Sequence, residues 1–259
     1  MRLKQQYLQI LGERTLIPAV PPARATVDLD FFLRMELFVQ KERGKAVRTL
    51  LDRLSYQEHT PQWQFGKPLR GGASEEDKVK VDLLARTPTP EESVRVKAFR
   101  VGSGADISLH GHETPEAFAV EDNPLLIQVT GEQTDGVLIE AEVFVPHAYA
   151  WLNMKVKAAH DWLRGERGET KKKPFREKHA FDVYVLTAML RGAELDEAAG
   201  MAKRYSENPL ASEIRANAEE LYGERGAPGF REATRQTGAA PMDYDTFREG
   251  LWVALGIGQ

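Results

Sequence analysis

The chain carries two carboxylates two residues apart inside a short apolar run, Thr26-Val27-Asp28-Leu29-Asp30-Phe31. In an extended strand alternate side chains share a face. Asp28 and Asp30 then project together, while Val27, Leu29 and Phe31 turn to the other side and bury. Two like charges about 7 Å apart along a strand repel unless a cation lies between them. A hard divalent metal is the usual occupant, because such cations take carboxylate oxygens. A second apolar run, Val79-Lys80-Val81-Asp82-Leu83-Leu84-Ala85, carries one acid, and Asp82 is the third candidate ligand.

The composition narrows the chemistry further. With 259 residues there is room for one large domain or two modest ones, and 42% apolar residues suffice for a core. No cysteine is present, which excludes disulfides, thiolate metal sites and a cysteine nucleophile. The sequence has no apolar run long enough to span a membrane and no secretory leader pattern, so a cytoplasmic protein without a membrane partner is expected. A net charge of −4 argues against general polyanion binding, so any nucleic-acid contact has to come from a local patch.

Pro18, Pro21 and Pro22 break any helix just before the acid pair. The stripe Val39, Ala46, Val47, Leu50, Leu51 and Leu54 predicts one helix over about 36–54. Residues 57–78, with Pro61, Pro68, Gly71 and Gly72, read as a polar loop. Strands are predicted at about 79–85, 94–100, 106–110, 125–130 and 137–145. From Pro146 onward the period becomes helical, as at Trp151, Leu152, Val156 and Ala159 and again at Phe181, Val185, Leu186 and Met189. A capped helix is expected from Asp243 to Leu255, stopped by Gly256. Strands first and helices afterwards predict an α+β fold: a mixed-sheet domain over 1–146 and a helical domain over 147–259.

The helical half holds the second set of charged candidates. Lys155 sits in Leu152-Asn153-Met154-Lys155-Val156-Lys157-Ala158. Lys178 and Asp182, four apart, share one helical face. Arg164, Arg167, Lys171, Lys172, Lys173, Arg176 and Lys178 form a basic segment in an otherwise acidic chain, suited to steering a phosphate-bearing ligand. Two rival readings are weaker. Glu140 and Glu142 share a strand face, which solvent exposure explains. His110 and His112 present two imidazoles to a transition metal but lack a third ligand nearby.

At these residues the chain resembles the AbiEii/AbiGii-type nucleotidyltransferases, toxin-like members of the DNA polymerase β nucleotidyltransferase superfamily. Arg24-Ala25-Thr26-Val27-Asp28-Leu29-Asp30 resembles the family's approach to its acid pair. Leu152 to Ala158 resembles its helical lysine motif, and Lys178-His179-Ala180-Phe181-Asp182-Val183-Tyr184 its Lys-x-x-x-Asp-x-Tyr signature. Val81-Asp82-Leu83 falls where the superfamily's third acid stands.

The resemblance implies a nucleotidyltransferase-like sheet followed by helices. It also implies transfer of a nucleotide from a nucleoside triphosphate to an RNA acceptor, tRNA in some relatives, or to a protein, and in some relatives a toxin with a cognate antitoxin. Asp28, Asp30 and Asp82 would then hold Mg²⁺ or Mn²⁺, with Asp82 completing a second metal site or acting as base. Thr26, Lys155 and Lys178 would contact the nucleotide, Lys155 as a point charge on phosphate, and Asp182 would orient Lys155 or an acceptor hydroxyl. On this reading Lys155→Ala cuts transfer and leaves the melting temperature nearly unchanged.

The family's Gly-Gly or Gly-Ser phosphate turn has no counterpart in Leu11-Gly12-Glu13-Arg14-Thr15-Leu16-Ile17-Pro18, and Gly71-Gly72 lies after the acids. That departure implies weak binding of metal–nucleotide and slow or absent transfer. It also sustains a second reading, a catalytically silent binding or regulatory protein of the same fold. A metal-dependent hydrolase using the same acids is a third.

The basic segment yields a direct expectation. RNA binding should weaken steeply with added salt, because phosphate contacts release counterions. Replacing Lys171, Lys172 and Lys173 by Ala should flatten the slope of log affinity against log salt in a filter-binding titration.

Overall fold

Helix α1 (Arg2–Leu11) opens the chain, and strand β1 (Asp28–Phe32) follows it. The computed structural model describes residues 1–23, 28–59, 63–68, 78–93, 100–102, 109–132, 136–164, 178–237 and 242–258. Two compact units result: residues 25–121, and residues 1–24 together with 122–259. The hairpin over 125–145, assigned to the first domain on sequence grounds, lies within the second unit.

In the smaller unit, β1 leads into helices α2 (Met35–Val39) and α3 (Lys41–Arg53), then strands β2 (Gln57–His59), β3 (Gln64–Pro68) and β4 (Lys78–Ala85). A short helix α4 (Pro90–Ser93) and strands β5 (Arg100–Gly102) and β6 (His110–Glu113) complete it. The sheet is mixed, in the order β2-β3-β4-β6-β5, with β1 also paired to β4. Pairing with β1 and β6 is parallel, and pairing with β3 is antiparallel.

Alternation along β4 sorts its two faces. Val81, Leu83 and Ala85 are buried with Phe65 of β3, and Leu33, Met35, Phe38 and Leu51 pack over them. Gly111 of β6 permits this packing, since a Cβ there would stand 2.8 Å from the Phe38 ring. Asp82 and Leu84 turn to the other face, where residues are half-buried or exposed.

In the larger unit, β7 (Leu125–Glu132) and β8 (Leu138–Val145) form an antiparallel ribbon. Helices α5 (Ala148–Arg164), α6 (Lys178–Ala188), α7 (Gly192–Arg204), α8 (Pro209–Tyr222), α9 (Pro228–Thr237) and α10 (Tyr244–Leu255) follow. Their core joins Leu152 and Val156 to Tyr184, Ile214, Phe230, Phe247 and Leu251. The helix ends follow ordinary capping chemistry. The Asn208 side chain accepts N–H bonds from Leu210 and Ala211 ahead of α8. Asp243 accepts one from Thr246 ahead of α10, and Gly256 closes α10 at φ +69°. A buried ion pair, Lys4 Nζ to Glu194 Oε1 at 2.6 Å, ties α1 to α7. Among the described residues no helix is long and apolar enough to cross a membrane.

Three local expectations differ from the structure. The single helix over 36–54 is broken at Gln40, which is extended (φ −99°, ψ 95°), and the break lets Phe38 bury in the sheet core. The presumed loop over 57–78 contains β2 and β3. These strands lack an apolar alternation of their own, and pairing with β4 draws them into the sheet. Leu29 and Phe31, expected to bury, remain 42% and 46% exposed. The strand expected at 94–100 lies outside the described residues except for Arg100, and that at 106–110 except for Leu109 and His110.

Beyond the end of β4, Arg86 forms ion pairs with Glu92 at 2.8 Å and Glu121 at 3.0 Å. Glu121 also accepts the Met35 N–H that opens α2. The hydrogen bond from Arg86 holds the Glu92 carboxyl at about 2, well below its ordinary value of 4.5. A depressed carboxylate contributes stability above its unfolded pKa and loses it as pH falls through the folded one. Native protein should therefore be more stable than Glu92→Gln at neutral pH, and the gap should close between about pH 4.5 and 2. Denaturant titrations across that range measure it.

Candidate functional site

The parallel register of β1 on β4 sets the acids side by side. Asp28 stands opposite Lys80 and Asp30 opposite Asp82. Directly paired residues on neighbouring strands project to one face, with strands about 4.8 Å apart. Asp30 is exposed and Asp82 half-buried on the polar face. Gln64, opposite Asp82 on β3, donates from Nε2 to Asp82 Oδ1 at 2.8 Å. Two carboxylates in adjacent register destabilise a sheet by repulsion. Leu33, just past β1, is buried with Val81, Leu83 and Phe65 on the reverse face, and its N–H donates to the Leu84 carbonyl.

The oxygen donors fit a hard divalent cation in kind: paired carboxylates, open to solvent, with no sulfur or imidazole between them. Among the described residues no group of three or more His, Asp or Glu side chains is placed to hold a metal. The Asp28 side chain, third member of the expected set, lies outside the described residues, as do Thr26 and Arg24.

Of the further groups on this face, only His112 is singled out from sequence. Lys80 is half-buried two residues before Asp82. At the other end of the strand, His112 pairs with Leu84 and stacks on Trp63, with ring centroids 4.7 Å apart and planes at 30°. The alternation Lys78, Lys80, Asp82 was a readable signal for Lys80. Trp63 and Gln64 were hidden in the segment read as loop. His112, considered with His110 for a transition metal, has an aromatic partner instead. Glu140 and Glu142, the rival acid pair, are both exposed on β8 in the other unit.

Lys155 and Asp182 meet in the larger unit. Helix α5 presents Lys155 Nζ to Asp182 Oδ2 of α6 at 3.1 Å, with side chains 21% and 1% exposed. Asp182 thus pairs with the lysine of the neighbouring helix, while Lys178 has no ion pair among the described residues. Burial, and then the Asp182 charge, push the Tyr222 hydroxyl pKa upward. Tyr184, last residue of the Lys-x-x-x-Asp-x-Tyr run, is buried and its hydroxyl accepts the Asp243 N–H at 3.1 Å, linking α6 to the start of α10. Lys157 binds Asp161 and Glu213. Of the basic segment, Arg164 pairs with Glu220, and residues 165–177 lie outside the described set.

The segment standing where the family places its phosphate turn has other commitments. Leu16 and Ile17 donate their N–H groups to the carbonyls of Leu190 and Ala188 at 2.7 and 3.2 Å. Those amides close the end of α6 and are spent as an anion cradle.

Comparison with protein-family models, with curated proteins and with solved structures finds no match to this chain.

The ion pair changes what Lys155→Ala should do. Removing the cation takes the ion-pair partner from a carboxylate that is 1% exposed, and the cost should be on the order of 3 kcal/mol. A lowered melting temperature is expected, in contrast to the neutral effect predicted from sequence. The double variant Lys155→Met with Asp182→Asn should recover much of the loss.

Proposed function

We propose that this chain is a metal-dependent nucleotidyltransferase that moves a nucleotide from a nucleoside triphosphate to an RNA or protein acceptor. The observation that carries the reading is the in-register pairing of Asp30 with Asp82 on the polar face of a mixed sheet. Like charges placed side by side at a cost to the sheet are what a cation site requires.

Asp28, Asp30 and Asp82 would hold Mg²⁺ or Mn²⁺, which when bound neutralises charge on the polyphosphate during in-line attack. Gln64 fixes the Asp82 carboxylate through Oδ1, so its orientation is set before substrate arrives. In place of a metal-ligand role, Asp82 is the candidate acceptor of the proton from the attacking hydroxyl. The resemblance adds Lys155 as a phosphate-binding cation, with Asp182 as the carboxylate that orients it. By the same resemblance the acceptor is an RNA reached through the basic segment 164–178, and the chain is the toxin of a toxin–antitoxin pair acting in the cytoplasm.

A second reading is favoured by a separate observation. With the amides of Leu16 and Ile17 bonded to carbonyls at and just past the end of α6, this segment offers no backbone cradle for a triphosphate. A silent binding or regulatory protein would keep the fold and lose that cradle.

Incubation with labelled nucleoside triphosphates, Mg²⁺ and total tRNA or protein separates the two. Label transfer that disappears in Asp30→Asn supports the enzyme. Absence of transfer by the native chain, or transfer indifferent to Asp30→Asn, overturns it.

A further inference from the structure

The polar face of the sheet has an order along β4. Lys80 comes first, in register with Asp28 on one side and Gly66 on the other. Asp82 follows, beside Asp30, and then Leu84, opposite His112 with its Trp63 partner. Each step is two residues, about 7 Å along a strand. Lys80 is half-buried and has no ion pair among the described residues, although Asp28 is its register partner on β1 and Asp82 follows it on β4. Gly66 beside it adds no side chain to the face.

Cation, carboxylates and aromatic pair repeat, in sequence and spacing, the parts of a metal-bound nucleoside triphosphate: terminal phosphates, metal-bridged phosphates, base. An ammonium without a carboxylate partner suits phosphate as a point charge. A stacked indole and imidazole offer a flat surface on which any base can lie. The opposite orientation would set the base on the lysine and the terminal phosphates on the indole.

We propose that this face seats a nucleoside triphosphate in one orientation, its base on the Trp63–His112 stack and its terminal phosphates on Lys80. The assignment rests on the nucleotidyltransferase reading of the same face.

The test is calorimetric titration of the full chain, in Mg²⁺, with each of the four common nucleoside triphosphates and with inorganic tripolyphosphate. Lys80→Met should weaken both kinds of ligand by about tenfold or more. Trp63→Leu should weaken the nucleotides about tenfold and leave tripolyphosphate unchanged. His112→Ala, on an exposed side chain, should shift affinities in the same direction as Trp63→Leu, and Trp63→Phe should retain most of the affinity, which separates stacking from misfolding. Nucleotide binding that is lost in Asp30→Asn yet unmoved by Lys80→Met and Trp63→Leu overturns the orientation and leaves the nucleotidyltransferase reading standing. So does the reversed pattern, with tripolyphosphate lost on Trp63→Leu. Failure of the native chain to bind any of the nucleotides overturns both.

Discussion

The parallel register between β1 and β4 is the constraint on which the candidate site depends. It places Asp30 beside Asp82 and Asp28 beside Lys80. A slip of one residue would send every side chain of β1 to the other face. Asp30 would then meet the apolar surface made by Val81, Leu83 and Phe65. The ladder continues past β1, where Leu33 donates its N–H to the Leu84 carbonyl. Leu33 itself is buried in the same core. Leu33, just past the half-exposed Leu29 and Phe31, anchors this strand to the core, and the register sets like charges side by side on the other face.

That juxtaposition separates a chemical from a structural explanation. Surface carboxylates normally spread apart, and paired strand positions favour opposite charges. Here the acids are adjacent and the nearest cation of β4, Lys80, stands one register step away opposite Asp28. On the proposed reading a divalent ion would relieve the repulsion, and an anionic ligand brought in with it would satisfy the lysine. The buried pair in the larger unit is of another kind. Asp182 has lost nearly all contact with solvent, and the Lys155 ammonium at 3.1 Å compensates its charge. Pairs of that kind are costly to break whatever chemistry they serve.

The motifs of the larger unit that resemble the family's carry structural duties. The tyrosine of the Lys-x-x-x-Asp-x-Tyr run receives an amide from the residue that caps α10. The stretch before the acids, where relatives of the resembled family keep a glycine turn, closes the end of α6 with two main-chain bonds. Both contacts organise the helical core, so an effect of mutation at these positions reports on folding.

Local sequence was sufficient for whatever depended on period and end signals. The α+β class, the strand at Val79–Ala85, the alternating strand ending at Val145 and the helix between Asp243 and Gly256 all follow from spacing and capping residues within a few positions. The motif order also singled out Asp30, Asp82, Lys155 and Asp182, because each acid or lysine interrupts an apolar pattern. Tertiary structure decided the rest. β2 and β3 have no apolar alternation of their own, and become strands only through hydrogen bonds to β4. The break at Gln40 exists because Phe38 has a place in the core, and Leu29 and Phe31 stay half exposed because the packed helices cover other positions of the sheet. Which carboxylate stands beside which, that Lys155 answers Asp182, and that Trp63 lies on His112 are contacts between residues far apart in the chain. A one-dimensional pattern encodes which face a residue turns to, and only the packed fold encodes what that face meets.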